Sequence, residues 1–200
     1  SVPLHLAAWK QAALAVGINF TDLDMFYCNG LPSPDFARRV AARHRKKIDY
    51  NKFAATKDKL FIARFSQAKL FPGIASLLGK LKKQGLKIGM ATASSKKVFR
   101  SIKALRPILQ FFDVFITGDD FTKPRPHPEM FWQGAAKLCL SANEIVIVDD
   151  AYLGIEAAKR GGFTAIGVAT YYPKNKLKKA DLVVKTARGI TQKMLAKIIS

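Results

Sequence analysis

Hydrophobic patterning changes character once along the chain. Up to about residue 66 the apolar positions recur at helical spacing and no strand pattern interrupts them. Leu4 to Val16 reads as a helix ended by Gly17. A second is expected over Pro34 to His44, with Ser33 as N-cap and proline in the first helical position, and a third from Asn51 to about Phe65. From Phe71-Pro72-Gly73 onward, helical and extended runs alternate. Helices are expected over Ile74 to Gln84, Lys96 to about Leu105, Glu129 to about Leu138, after Asp150 as far as Arg160, and at the C-terminus. Between them lie short apolar strands at Leu86 to Ala91, Val114 to Thr117, Ile145 to Val148, Phe163 to Val168 and Leu182 to Val184. Strands alternating with helices imply a parallel sheet covered on both faces. The expected organisation is therefore a helical part, residues 1–68, and an α/β part, residues 69–200.

Composition narrows the class. Two hundred residues at 49% hydrophobic content suit a soluble folded protein with a substantial core. No stretch reaches the roughly eighteen apolar residues of a membrane span, and the start lacks a signal-peptide pattern. Cys28 and Cys139 form no metal spacing and are expected as core thiols in a reducing compartment, the cytoplasm by default. The net charge of +20 raises the question of nucleic acid. The basic residues are scattered over expected helix faces and loops, however, and no nucleic-acid-binding motif accompanies them. The charge suits a solvated surface and the attraction of phosphorylated small molecules.

Three expected strands are followed by polar loops that carry chemistry. Val148-Asp149-Asp150 places two carboxylates at the end of an apolar strand, where open α/β sheets bind ligands. Such a pair suits Mg²⁺, which takes one or two carboxylates, waters and a substrate phosphate; as an alternative, Asp is an ordinary helix-start residue. Thr92, after Met90-Ala91, offers a hydroxyl, and with Ala93 an amide, to phosphate oxygens; it could equally cap the next helix. Lys123-Pro124-Arg125-Pro126-His127-Pro128 offers rigid cations, or is an exposed connector. A hydroxyl, a cation and an acidic pair at strand ends together make a phosphate-plus-Mg²⁺ site.

These residues carry a resemblance. Ala91-Thr92-Ala93-Ser94, Pro126 to Phe131, and Val148-Asp149-Asp150 with Gly154 and Glu156-Ala157-Ala158 resemble the haloacid dehalogenase superfamily over nearly the whole chain. Pro3-Leu4-His5 with Ala8-Trp9, and Phe71-Pro72-Gly73, resemble its β-phosphoglucomutase-like phosphatases. The resemblance implies a Rossmann-like parallel core with a small helical cap. It implies a Mg²⁺-dependent phosphohydrolase acting on small phosphorylated metabolites through an aspartyl-phosphate. Thr92 then matches the phosphoryl-binding hydroxyl, Asp150 and secondarily Asp149 the metal acids, and either Lys123 or Arg125 the cation. Lysine is the family norm at that position, and arginine keeps the charge but not the geometry.

The departure lies at the family's first motif, an apolar strand ending in Asp-x-Asp that supplies the nucleophile and the acid/base. It should fall just before Pro3, and the sequence written here starts at Ser1-Val2. Asp22-Leu23-Asp24 imitates the motif, but Asn19-Phe20-Thr21 before it is no buried strand, so it reads as a decoy at a helix start. In the family the absent strand lies between those ending here at Thr92 and Val148. Each backbone group left unpaired there would cost about 1–3 kcal/mol, against a total stability of about 5–15 kcal/mol. The chain as written is accordingly expected to lie within a longer protein or to have the slot filled by another segment or chain, and alone to show little turnover.

A phosphatase is preferred to a mutase because Ser33-Pro34 stands where sugar-phosphate mutases carry a cap arginine. The alternative is a non-catalytic remnant of the fold that binds phosphate or a protein partner; a nucleic-acid binder ranks third. His5 is expected either at the mouth of the site or packed near Trp9, His127 at a helix start, and His44 in solvent.

Overall fold

The computed structural model describes residues 2–64, 70–71 and 73–199. Four helices come first: α1 (Val2–Leu14), α2 (Asp22–Cys28), α3 (Ser33–Arg43) and α4 (Tyr50–Arg64). They pack because each presents an apolar stripe inward. Trp9 of α1, 1% exposed, stacks on Phe36 of α3 at 4.1 Å between ring centroids and meets Phe53 of α4 edge-on at 5.1 Å. A buried indole removes roughly 150–250 Å² from water, which makes Trp9 the centre of this unit. The helix α2 had no strong periodicity to announce it. Thr21 starts it with a capping box, its hydroxyl accepting from the Asp24 amide while Asp24 accepts from the Thr21 amide.

Two expectations at these helices are corrected. Ser33 is the first residue of α3 rather than its N-cap, and Pro32 holds the cap position. The Ser33 hydroxyl is instead drawn away to Asp58 of α4, donating to Oδ1 at 2.8 Å. His44 is not solvated: it caps the C-terminus of α3 and its Nε2 lies 2.9 Å from the buried Asp24 carboxylate. Phe65 and the boundary expected between residues 68 and 69 lie outside the described residues.

The second part alternates as its pattern implied. It runs α5 (Ile74–Lys83), β1 (Gly89–Ala91), α6 (Lys96–Ser101), α7 (Arg106–Leu109), β2 (Val114–Ile116), α8 (Glu129–Leu138), β3 (Val146–Asp149), α9 (Tyr152–Arg160), β4 (Thr164–Val168), β5 (Leu182–Val184) and α10 (Gln192–Ile199). The helix expected over Lys96 to Leu105 breaks at Ile102 into a 3₁₀ turn and then α7. Pro107 lies in the first turn of α7, where its missing amide hydrogen costs no helical bond. The strand expected from Leu86 is regular only from Gly89.

All strand pairs are parallel, but they fall into two sheets, β1–β2 and β3–β4–β5. Among the described residues β1 pairs only with β2 and β3 only with β4. The consequence is visible in burial. Ala165 and Ile166 in the central strand β4 are fully buried, whereas Val148 in β3 is 47% exposed. A parallel strand paired on both edges and covered on both faces would not leave a valine in that state. The open edges of β1 and β3 are those of the two strands between which the resemblance puts a further strand.

The cysteines divide. Cys28 is buried as expected, and burial pushes its thiol up to about 12. Cys139 is exposed, in the left-handed C-cap of α8, which corrects its expected place in the core.

Candidate functional site

The ends of β1 and β3 open into one cavity of about 600 Å³, closed on the other side by the four-helix unit. Thr92, Ala93, Arg125, Asp149 and Asp150 all line it. Three separate loops thus bring together five of the six residues singled out from sequence. Lys123 is the one not brought there. Its side chain is exposed, and its backbone amide donates to Glu129 Oε2 at 2.7 Å, which turns this end of the loop toward α8.

Thr92 is free for the cavity because another residue caps the next helix. Ser95 accepts from the Val98 amide at the start of α6, and the Thr92 hydroxyl accepts from the Ser94 amide at 3.2 Å. The Thr92 amide donates to Ile116 of β2 at 2.9 Å, anchoring the loop to the sheet.

At the end of β3 the two acids have different surroundings. Asp149 is held on several sides. It accepts from the Ala151 amide at 2.8 Å and from Arg125 Nη1 at 2.7 Å. Gly154 in α9 makes room for it, since a Cβ there would collide with the Asp149 carboxylate. Asp150 has no side-chain ion pair among the described residues. Burial, and next the charge of Asp149, raise its pKa, with Arg125 opposing. A desolvated carboxylate beside a like charge and facing a cavity is the surrounding that a bound cation would relieve. Among the described residues no cluster of three or more His, Cys, Asp or Glu forms a ready-made cage. Two carboxylates lining the cavity fit Mg²⁺, which takes one or two carboxylates, waters and a substrate phosphate. Asp149 and Asp150 are also the only carboxylates among the described lining residues.

The helical unit contributes a cation that sequence reasoning missed. Lys57 of α4 lines the cavity and is 3% exposed. Its Nζ donates to Asp58 Oδ1 at 3.1 Å and to the Ser33 hydroxyl at 3.3 Å, over the rings of Trp9 and Phe61 at 5.2 and 5.0 Å. Burial lowers its pKa, against the pull of Asp58. The signal was legible: Phe53, Lys57 and Phe61 lie at i, i+4 and i+8, one buried stripe of α4 with a lysine in it. The helical unit thus does bring a basic side chain to the cavity, contrary to the expectation drawn from Ser33-Pro34. His5 also lines the cavity and stacks on Phe61 at 3.9 Å. Burial, then the charge of Lys57, hold its pKa well below the usual histidine value, so the ring is neutral at pH 7. His127 lies at the start of α8, its Nδ1 accepting from the Glu129 amide. Asp22 and Asp24 do not line the cavity.

Comparison with known proteins follows the same lines. A family model described as haloacid dehalogenase-like hydrolase matches residues 1–168. β-Phosphoglucomutase of Bacillus subtilis is 31% identical over 96% of this chain and 86% of its own length. Validoxylamine A 7'-phosphate phosphatase of Streptomyces hygroscopicus is 30% identical over 89% of this chain and 84% of its own. In fold, the chain superposes on a β-phosphoglucomutase from Clostridium difficile with a TM-score of 0.88, at 24% identity, covering 99% of this chain and 90% of that one.

Proposed function

The chain belongs to the haloacid dehalogenase-like hydrolase family, and from that premise we propose that it is the phosphate- and metal-binding body of a Mg²⁺-dependent phosphohydrolase for small phosphorylated metabolites. The observation that carries the reading is the convergence of Thr92, Arg125, Asp149 and Asp150 on one cavity from three strand-end loops. Asp150 and Asp149 would hold the cation, which supplies positive charge to the phosphate oxygens in transfer. The Thr92 hydroxyl and the Ala93 amide orient the phosphoryl group. Arg125 supplies positive charge on the cavity wall, which Lys123 is too exposed to do. Lys57 and the neutral His5 face the leaving group from the helical cap, residues 1–68 in this reading. The net charge of +20 draws anionic substrates in. Scattered as it is, it favours a small-molecule phosphate over nucleic acid.

The aspartyl-phosphate route needs a nucleophilic carboxylate between β1 and β3, and residues 1–200 contain no Asp-x-Asp strand. The open edges of both strands support this reading. The test is calorimetric Mg²⁺ binding together with hydrolysis of small phosphate esters by the 200-residue chain and its Asp150→Ala variant. The expected outcome is Mg²⁺ binding that the variant loses, with turnover at background in both. Mg²⁺-dependent turnover lost in the variant would falsify the missing nucleophile, and absence of Mg²⁺ binding in the parent chain would remove the metal role.

The second reading is a mutase, since β-phosphoglucomutase of Bacillus subtilis is among the relatives, and Lys57 favours that reading as far as a second anion is concerned. A buried cation opposite the transfer site can hold the far phosphate of a sugar bisphosphate, and priming of turnover by such a compound separates the two.

A further inference from the structure

Arg125 makes two contacts on opposite sides of the cleft. Its Nε donates to the carbonyl oxygen of Gly30 at 2.8 Å, in the turn between α2 and α3, while its Nη1 donates to Asp149 at 2.7 Å. Its side chain is 9% exposed and that of Asp149 14%, so water competes little for either bond. Holding two acceptors in a fixed mutual orientation is what a planar guanidinium does and a lysine ammonium does not. The turn is shaped to receive it. Gly30 has φ +93°, and a Cβ there would lie 2.8 Å from the Arg125 Cζ, so a glycine alone admits both the backbone and the guanidinium. The Leu31 amide closes the turn on the Cys28 carbonyl at 3.0 Å. Asn29, Gly30 and Leu31 line the same cavity as the acidic pair.

We infer that Arg125 is a latch coupling the acidic pair to the cap: the turn 29–31 stays closed over the site while Asp149 offers its negative charge, and is released when that charge is neutralised. The sign follows from electrostatics. A cation engaging Asp149 competes for the oxygen that Nη1 holds and repels the guanidinium. Linkage is reciprocal, so a closed turn weakens cation binding by the factor through which the cation opens the turn. Loading of the pair and opening of the cavity mouth then become one event, which orders cation before phosphorylated substrate. Arg125 acts here as a positioning residue. The cation part of the inference rests on the metal reading proposed above; the latch does not.

The experiment is amide hydrogen exchange at Leu31 in the 200-residue protein, in a cycle of parent, Arg125→Gln, Asp149→Asn and the double variant, with β4 amides as a control for global stability. Each single change is expected to speed Leu31 exchange about tenfold, as loss of a charge-assisted hydrogen bond should. The double variant is expected to be no faster than either, because both changes cut the same link. Unchanged exchange in Arg125→Gln, or multiplied effects in the double variant, overturns the latch. Saturating Mg²⁺ should reproduce Asp149→Asn in the parent and do nothing at Leu31 in Arg125→Gln, which should bind Mg²⁺ several-fold tighter on the same linkage. If the cycle is coupled while Mg²⁺ leaves the parent unchanged, the latch stands and the metal reading of the pair falls.

Discussion

Three pairs of aspartates stand in this chain in contrasting surroundings. Asp24, in the helical unit, is fully buried, and its carboxylate is met by the Thr21 amide and hydroxyl, by Arg43 Nε at 2.9 Å and by His44 Nε2 at 2.9 Å. Burial alone would raise its pKa, but these hydrogen bonds together outweigh it, and the pKa is lowered. After β2, Asp119 accepts from the Lys96 amide, and Asp120 from the Thr117 amide and hydroxyl with Lys96 Nζ at 3.2 Å. Only after β3 is a half-buried carboxylate, Asp150, left with a raised pKa and no ion pair among the described residues. The chemistry of the residue is constant across the three. What differs between them is how many donors the fold gives each carboxylate.

The contrast can be broken in order of expected effect. Asp24→Ala should be the most damaging, removing a buried anion that joins α2 to α3; a loss of about 2–4 kcal/mol is expected from urea denaturation. A change below about 0.5 kcal/mol would mean that the four donors contribute nothing net. Asp150→Asn should act in the opposite direction. Removing a desolvated charge beside Asp149 is expected to raise the urea midpoint at pH 7 while Mg²⁺ binding disappears. A lowered midpoint would show that Asp150 is a structural acid after all.

The smallest effect is in pH. The Thr117 hydroxyl, then its amide, hold the Asp120 carboxyl at about 2, below its unfolded value. A depressed carboxylate contributes stability that is fully present above about pH 4 and lost as pH falls towards about 2. Stability curves of the parent and Asp120→Asn should therefore separate above pH 4 and converge near pH 2; parallel curves over that window would leave Asp120 without a role in acid stability.

Much of the fold was legible because its signals are local. The alternation of apolar runs from Ile74 onward, the Gly161-Gly162 stop and the acids after β3 all depend on neighbours within a few positions. Thr92, Ala93, Lys123, Arg125, Asp149 and Asp150 were singled out for the same reason, as groups in loops after strands, and all but Lys123 line the cavity. The misreadings have one cause in common. His44 in a basic run, Ser33 before a helix and Cys139 after one were judged by sequence neighbours, and their surroundings are made elsewhere: Asp24 lies 20 positions from His44, and Asp58 25 positions from Ser33. Lys57 was overlooked because charged residues on a helix are usually solvated, although its place between Phe53 and Phe61 on one stripe said otherwise.

By itself, then, the sequence determined the periodicities, and through them a helical unit followed by a parallel α/β core, with an acidic pair and a hydroxyl where such sheets bind ligands. The choice between Lys123 and Arg125 could not be made at that level, since both cations sit in one proline-rich loop with the same local chemistry. Tertiary structure separated them by placing Arg125 between Asp149 and a glycine carbonyl 95 positions away, and Lys123 in solvent. Periodicity reports which face of an element is buried, but an ion pair depends on what a distant element presents at that spot, and that is known only once the chain has folded.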